Sequence, residues 1–219
     1  MKSLYSILLS LLTLVLCCSC GEEDYTYPNV YTTFACLHTD GQGSGVLLRG
    51  DEGQSWHIAD AYQPQGLVQD SVYRVISQFD QAPDTQSADS IIRPYTLLAA
   101  ISSIPVPESD IEEMHIDPVS IQSIWKSGNY LNLILLVREK NKRHGLAFVE
   151  NALEVSPDGQ HKLVLTLFHD RRDDIEGFDR KYYLSVPLFP YQSLLQKGDT
   201  ILFKINTYKE GMTSRTFTY

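Results

Sequence analysis

The stretch Val119-Ser120-Ile121-Gln122-Ser123-Ile124-Trp125-Lys126-Ser127-Gly128-Asn129-Tyr130-Leu131-Asn132-Leu133-Ile134-Leu135-Leu136-Val137 decides the fold class. Side chains of a strand alternate between faces, so Val119, Ile121, Ser123 and Trp125 share one side. Lys126-Ser127-Gly128-Asn129 has the composition of a hairpin turn. The run from Leu131 to Val137 is apolar on nearly both faces. That pattern belongs to a central strand covered on both sides. Two antiparallel strands of this kind predict a β core, with Trp125 turned inward.

Working toward the C-terminus, residues 145–150, 162–169, 181–188, 200–208 and 213–219 read as further strands. Ile201, Phe203 and Ile205 alternate cleanly and face inward. Pro187 lacks an N–H, which places it at a strand end or on an edge. With the opening hairpin these make seven strands, the number of an immunoglobulin-like or Greek-key β-sandwich over residues 108–219.

Toward the N-terminus, Ile104-Pro105-Val106-Pro107-Glu108 reads as a stiff boundary. The best helical candidate in the chain, residues 108–114, amounts to one or two turns. Residues 31–38, 46–48, 55–60, 71–79 and 95–104 read as five strands, with a flexible polar loop at 80–89. Five short strands over residues 29–107 fit a small closed barrel of the oligonucleotide/oligosaccharide-binding (OB) type. An SH3-like barrel fits the count as well.

The first residues carry an address. One positive charge at Lys2 precedes an apolar run from Leu4 to Leu16, too short to span a membrane but right for a secretory signal. It ends in Cys17-Cys18-Ser19-Cys20, which resembles a bacterial lipobox. The small Ser19 before the cut favours Cys20 as the lipidated residue over Cys18 and Cys17. Residues 1–19 are thus expected to be removed and residues 20–28 to form an acidic tether. Two or more acyl chains make attachment stable, so the membrane is an expected partner. Gly21-Glu22-Glu23-Asp24 resembles the acidic tag that sends lipoproteins to the outer face of the outer membrane. The implied location is the cell envelope, as an outer-membrane lipoprotein exposed at the surface, with periplasmic retention as the alternative.

Charge narrows the partners. The formal net charge is −9, and loss of Lys2 with the signal takes it to −10. Such a protein is not drawn to phosphate backbones, and no nucleic-acid partner is expected. With Cys20 acylated, Cys36 is the one cysteine left, which rules out an intrachain disulfide and multi-thiolate zinc sites. Cys36 reads as a buried small hydrophobe.

The acidic tag followed by Asp24-Tyr25-Thr26-Tyr27-Pro28 is the first of several motifs that occur together. Ser123-Ile124-Trp125 with Tyr130-Leu131-Asn132, then Leu165-Thr166-Leu167-Phe168-His169-Asp170, then Tyr183-Leu184-Ser185-Val186-Pro187-Leu188 follow in order. Together they resemble the NigD-like lipoproteins over essentially the whole chain. The resemblance implies an N-terminal OB-like domain joined to a C-terminal β-sandwich. The family name derives from a bacteriocin-associated operon, and the resemblance implies no defined chemistry.

Candidate sites are few. His169, Asp170 and Asp173, with Asp174 beside them, carry imidazole and carboxylate ligands for a metal, provided the strand has turned by Asp170. Trp56, Tyr62 and Tyr73 are candidates for stacking on a sugar or peptide, with the core as the alternative place for Trp56. Ser71, Ser90 and Thr200 follow an aspartate and precede an aliphatic residue, which resembles an O-glycosylation signal of exported proteins. No Gly-x-Ser-x-Gly elbow is present, and Glu112 and Glu113 are adjacent and cannot face each other across a glycosidic bond. No catalytic residue is identified and no cofactor is expected. The leading reading is a non-enzymatic, lipid-anchored binding or scaffold module with an envelope protein or glycan as partner. The alternatives are a bacteriocin-associated antibacterial or immunity factor and, more weakly, a metal-dependent hydrolase.

Overall fold

The computed structural model describes residues 30–64, 66–80, 90–157 and 159–219, so Cys20, the signal and the acidic tether lie outside the described residues. The chain is all-β, as its alternating pattern predicts. Six strands form the N-terminal sheet: β1 (Val30–Thr39), β2 (Gly45–Gly50), β3 (Ser55–Tyr62), β4 (Val72–Asp80), β5 (Ser90–Ile92) and β6 (Thr96–Ala99). Their order is β5-β3-β2-β1-β4-β6. The β3–β5 pair is parallel; β1–β2, β1–β4, β2–β3 and β4–β6 are antiparallel.

This sheet corrects the expectation of a closed barrel and of a single strand over 95–104. The two edge strands, β5 and β6, are consecutive in sequence and separated by Arg93-Pro94-Tyr95. Proline has no N–H to donate to a ladder. β5 lies outside every expected strand, and the strand expected over 95–104 keeps only Thr96–Ala99, beyond which Ile101 bridges to Leu184 of the sandwich.

The C-terminal part is a sandwich. One sheet is β14-β13-β11-β10-β7, built from β7 (Val106–Pro107), β10 (Gly145–Val155), β11 (His161–Asp170), β13 (Thr200–Thr207) and β14 (Gly211–Thr218). The other is β12-β9-β8, from β8 (Ser120–Ser127), β9 (Tyr130–Glu139) and β12 (Phe178–Pro187). Pro187 ends its strand on the sheet edge. Residues 108–114 keep only a single 3₁₀ turn, Glu108–Asp110.

Alternation along β9 explains the layering. Leu131, Leu133, Leu135 and Val137 point into the sandwich and meet Phe148, Leu163, Leu165, Leu184, Phe203 and Ile205 in one fully buried cluster. Each such side chain contributes roughly 1.5–3 kcal/mol by leaving water. The opposite face of β9 presents Asn132 and Ile134, and that of β12 presents Tyr183 and Ser185. These turn toward the outer face of the N-terminal sheet, where Phe34, Arg74 and Ile76 sit. The inner face of that sheet holds a second core of Ala35, Leu37, Leu48, Trp56, Ile58, Val75, Phe79 and Ile92. The three-stranded sheet is therefore the middle of three layers.

Candidate functional site

The joint between the two halves is polar where the cores on either side are not. Arg74, on β4, makes a bidentate ion pair with Asp51 at 2.5 and 2.7 Å. Both side chains are buried, at 4% and 6% exposure. Arg74 also donates to Ser185 Oγ at 2.8 Å and Asn132 Oδ1 at 3.0 Å, across the joint. Asn132 returns a hydrogen bond to Asp51 at 2.9 Å, and Ser185 donates to Asn132 at 2.6 Å. The guanidinium plane lies 3.7 Å from the centre of the Tyr130 ring, a cation–π contact. The Tyr130 hydroxyl meets Cys36 Sγ at 3.4 Å, so Cys36 is half-buried against a polar network, unlike the buried hydrophobe expected. Burial pushes the Tyr130 phenol well above its ordinary value.

Above this network lies a cleft of about 420 Å³ with walls from both halves. Tyr31, Thr32, Phe34 and Ile76 come from the N-terminal sheet, Glu52 and Gln54 from the β2–β3 turn, and Trp125, Ser127, Asn132 and Ile134 from β8 and β9. Trp125 is not in the sandwich core, as its inward reading predicted. It stands half-buried with its ring edge-on to Phe34 at 5.6 Å. Aromatic side chains, hydroxyls, two amides and two carboxylates in a concave wall are the groups of a recognition site.

A second cluster lies at the far end of β11. His169 is buried and separated from Asp170 by the alternation of the strand. Its Nδ1 lies 2.9 Å from the Asp117 carbonyl and its Nε2 lies 2.8 Å from His144 Nδ1. A carbonyl only accepts, so Nδ1 of His169 carries the proton. Both ring nitrogens are thus engaged, and His169 is not available to a metal, contrary to the sequence reading. Burial holds its imidazole below the ordinary histidine value. Behind it, His144 Nε2 is buried without a hydrogen bond and faces Asp174 at 3.6 Å. Asp174 accepts N–H groups from Lys140 and Asn141, and these hold its carboxyl down at about 2.

Asp170 instead faces the half-exposed side chains of His115 and Asp117. Asp173, exposed and at φ 54°, lines the same bay without joining them. Of the stacking candidates, Trp56 is 3% exposed and packs on Tyr31 and Phe79, so it offers no face to a ligand. Tyr73 is half-buried and its hydroxyl accepts the Val68 N–H at 2.7 Å. Tyr62 fronts a shallow hollow with Asp60, Arg93 and Pro94. Ser71 and Ser90 are half-buried at strand margins, whereas Thr200 lies within the ladder between Lys162 and Thr218.

Sequence reasoning missed Arg74, Asp51, Asn132 and Ser185. The available signal was a polar residue at the centre of an otherwise apolar strand, in Leu131-Asn132-Leu133, Leu184-Ser185-Val186 and Tyr73-Arg74-Val75.

Comparison with known proteins bears on this arrangement. The profile of the NigD-like C-terminal beta sandwich domain matches residues 102–219. A NigD-like immunity protein from Bacteroides caccae is similar at 29% identity and TM-score 0.67, with 89% of this chain and 99% of that one covered. A candidate toxin-related protein from Parabacteroides distasonis matches at 19% identity and TM-score 0.63, over 87% of this chain and 93% of that one. A candidate lipoprotein from Bacteroides fragilis matches at 12% identity and TM-score 0.57, over 86% and 96%. At those two identities the likeness is one of fold. No curated protein matches the chain.

Proposed function

Because the chain belongs to the NigD-like family, we propose that it is a lipid-anchored binding module of the cell envelope, acting by recognition and not by catalysis. The observation that carries this reading is the cleft, whose walls come from both halves and whose floor is the buried Arg74 network. A floor fixed by six hydrogen bonds keeps the cleft preformed, which lowers the ordering cost of binding. Trp125 supplies aromatic surface, and Glu52, Gln54 and Ser127 supply the polar contacts that fix orientation. The partner is a glycan or another envelope protein. Cys20 supplies the anchor, and the acidic residues after it favour the outer face of the outer membrane.

A photo-crosslinking residue placed at Gln54 in intact cells tests the cleft. The expected result is a discrete adduct that a matched probe at exposed Lys209 does not give, and that Trp125→Ala weakens. Equal labelling from both positions would remove the cleft as the seat. Protease shaving of intact cells, against a Cys20→Ala control, tests the location. Peptides released only from the acylated protein support the surface; full protection would place it in the periplasm.

The similarity to an immunity protein favours a second reading, a bacteriocin-associated immunity factor. Deletion should then sensitise cells to a co-resident bacteriocin, and unchanged sensitivity would exclude it.

A further inference from the structure

The structure assigns a divalent transition-metal site to His115, Asp117 and Asp170, at the end of the sandwich remote from the Arg74 joint. One ligand atom from each of the three lies within 4.8 Å of the other two. The backbone presets them. The segment 115–117 adds to β11 as a short parallel bridge, Ile116 opposite His169, with His169 N–H donating to the His115 carbonyl at 3.0 Å and Asp117 N–H to the His169 carbonyl at 2.9 Å. Residues 115 and 117 are two apart on extended chain, so both side chains take the same face. Asp170, the next residue of β11 after His169, turns to that face too. The buried His169 imidazole reinforces the arrangement through Nδ1 and the Asp117 carbonyl. The site therefore stands on paired strand ends.

The donors are free to ligate. Neither His115 nitrogen is within hydrogen-bond distance of its carboxylate neighbours: Nε2 is 3.7 Å from Glu113 and Nδ1 is 3.9 Å from Asp170. Its ring is held edge-on to Phe168, at 5.7 Å, by packing alone. Each carboxylate has one oxygen fixed by a backbone N–H, Asp117 by Arg171 at 3.0 Å and Asp170 by Arg172 at 2.7 Å. Asp170 keeps further lone pairs for an ion, whereas Asp117 Oδ1 must exchange its Arg171 partner for one. An open bay of about 610 Å³ gives access and room for water.

The donor set selects the ion. Calcium requires six to eight oxygens, which two aspartates do not approach. One imidazole and two carboxylates suit Zn²⁺, which takes three protein ligands and leaves the remaining position to water or a partner's donor. Tetrahedral ligands at zinc bond lengths lie about 3.3 Å apart, so rotamer changes of an ångström or so close the site. The competing cation is Arg171, whose Nε is 3.4 Å from Asp117 Oδ1.

Zinc titration of the full chain in detergent, after chelator treatment, tests the assignment by calorimetry. One saturable equivalent is expected, weakened at least tenfold in His115→Ala and in Asp170→Asn. Arg171→Ala should bind as tightly as the parent or several-fold more tightly. Cobalt(II) added to the unaltered protein should give the visible absorption of a low-coordinate site with nitrogen and oxygen donors, a readout independent of how the variants fold. No saturable binding, equal binding in the folded variants, preference for Ca²⁺, or only the spectrum of hydrated cobalt would overturn it.

Discussion

At the level of single residues, Arg74 carries the largest energetic consequence. An unpaired buried charge is far costlier than a buried pair, so removing one partner typically loses about 3–5 kcal/mol. Arg74→Ala strands Asp51, and Asp51→Ala strands Arg74, since each is the other's bidentate partner. Urea unfolding should show a loss of that order for either change. The double replacement Arg74→Met with Asp51→Leu should cost less than the single losses added together, because no charge is left behind. Strict additivity would mean that the pair is solvated in solution. Asp174 gives a different test. Its carboxyl is held at about 2 by the Lys140 and Asn141 amides, below the roughly 3.9 of an unfolded aspartate. The folded form binds its proton less readily, so its contribution is complete above the unfolded value and fades as pH falls toward 2. Asp199, held down by the Gln196 and His161 amides, adds in the same direction. Stability measured from pH 5 to 2 should fall, and Asp174→Asn should flatten part of that slope.

Among the elements, the β8–β9 turn shows what the sequence made legible and what it did not. Lys126-Ser127-Gly128-Asn129 reads as a hairpin turn, and it is one, with Ser127 paired to Tyr130. Its second role, as a surface for the β2–β3 turn, has no local signature. Gly128 has φ 50°, and a Cβ there would collide with the Asp51 carbonyl oxygen. Gly128→Ala therefore adds left-handed strain and separates two turns that meet across the joint. It should lower Tm by several degrees and raise protease cutting in the 100–105 segment, while a variant at Gly53, φ 91° and open on all sides, shows the strain alone. If both variants behave alike, the turns do not bear on each other. The same division runs through the chain. Ile201 to Ile205 is legible because burial of one face imposes a period of two, and Leu131 to Val137 because cover on both faces makes the run nearly continuous. The sheet edges were missed because β5, at three residues, is too short to show a period, and nothing within 95–104 marks where the chain leaves β6 to bridge Leu184 of the sandwich. The metal reading named Asp170, which lies beside His115 and Asp117. It misplaced His169, whose partners His144 and Asp117 are 25 and 52 residues away and follow from tertiary structure alone.

For the whole molecule, the question is whether two cores behave as one. Among the described residues the sandwich core holds 18 buried side chains and the N-terminal core 8, so the sandwich is expected to be the more stable body. Between them runs a layer that is polar at its centre and aromatic at its margin, where Phe34 meets Trp125 and Tyr183 edge-on. Interfaces between domains of one chain are commonly polar enough to let the domains move. Here the Arg74 bridge opposes that, because undocking would leave Asn132 and Ser185 without their partner. Scanning calorimetry of the parent should show a single transition. Asn132→Leu combined with Ser185→Ala removes both side-chain acceptors that the sandwich offers Arg74 while leaving Arg74 and Asp51 paired within the N-terminal half. It should split the melt in two, the N-terminal half first, with amides of β1–β4 exchanging well before those of β9 and β11. A single transition merely shifted downward would assign the coupling to the aromatic margin. Phe34→Ala would then be the change that separates the halves, and the cleft would owe its shape to packing instead of to the ion pair.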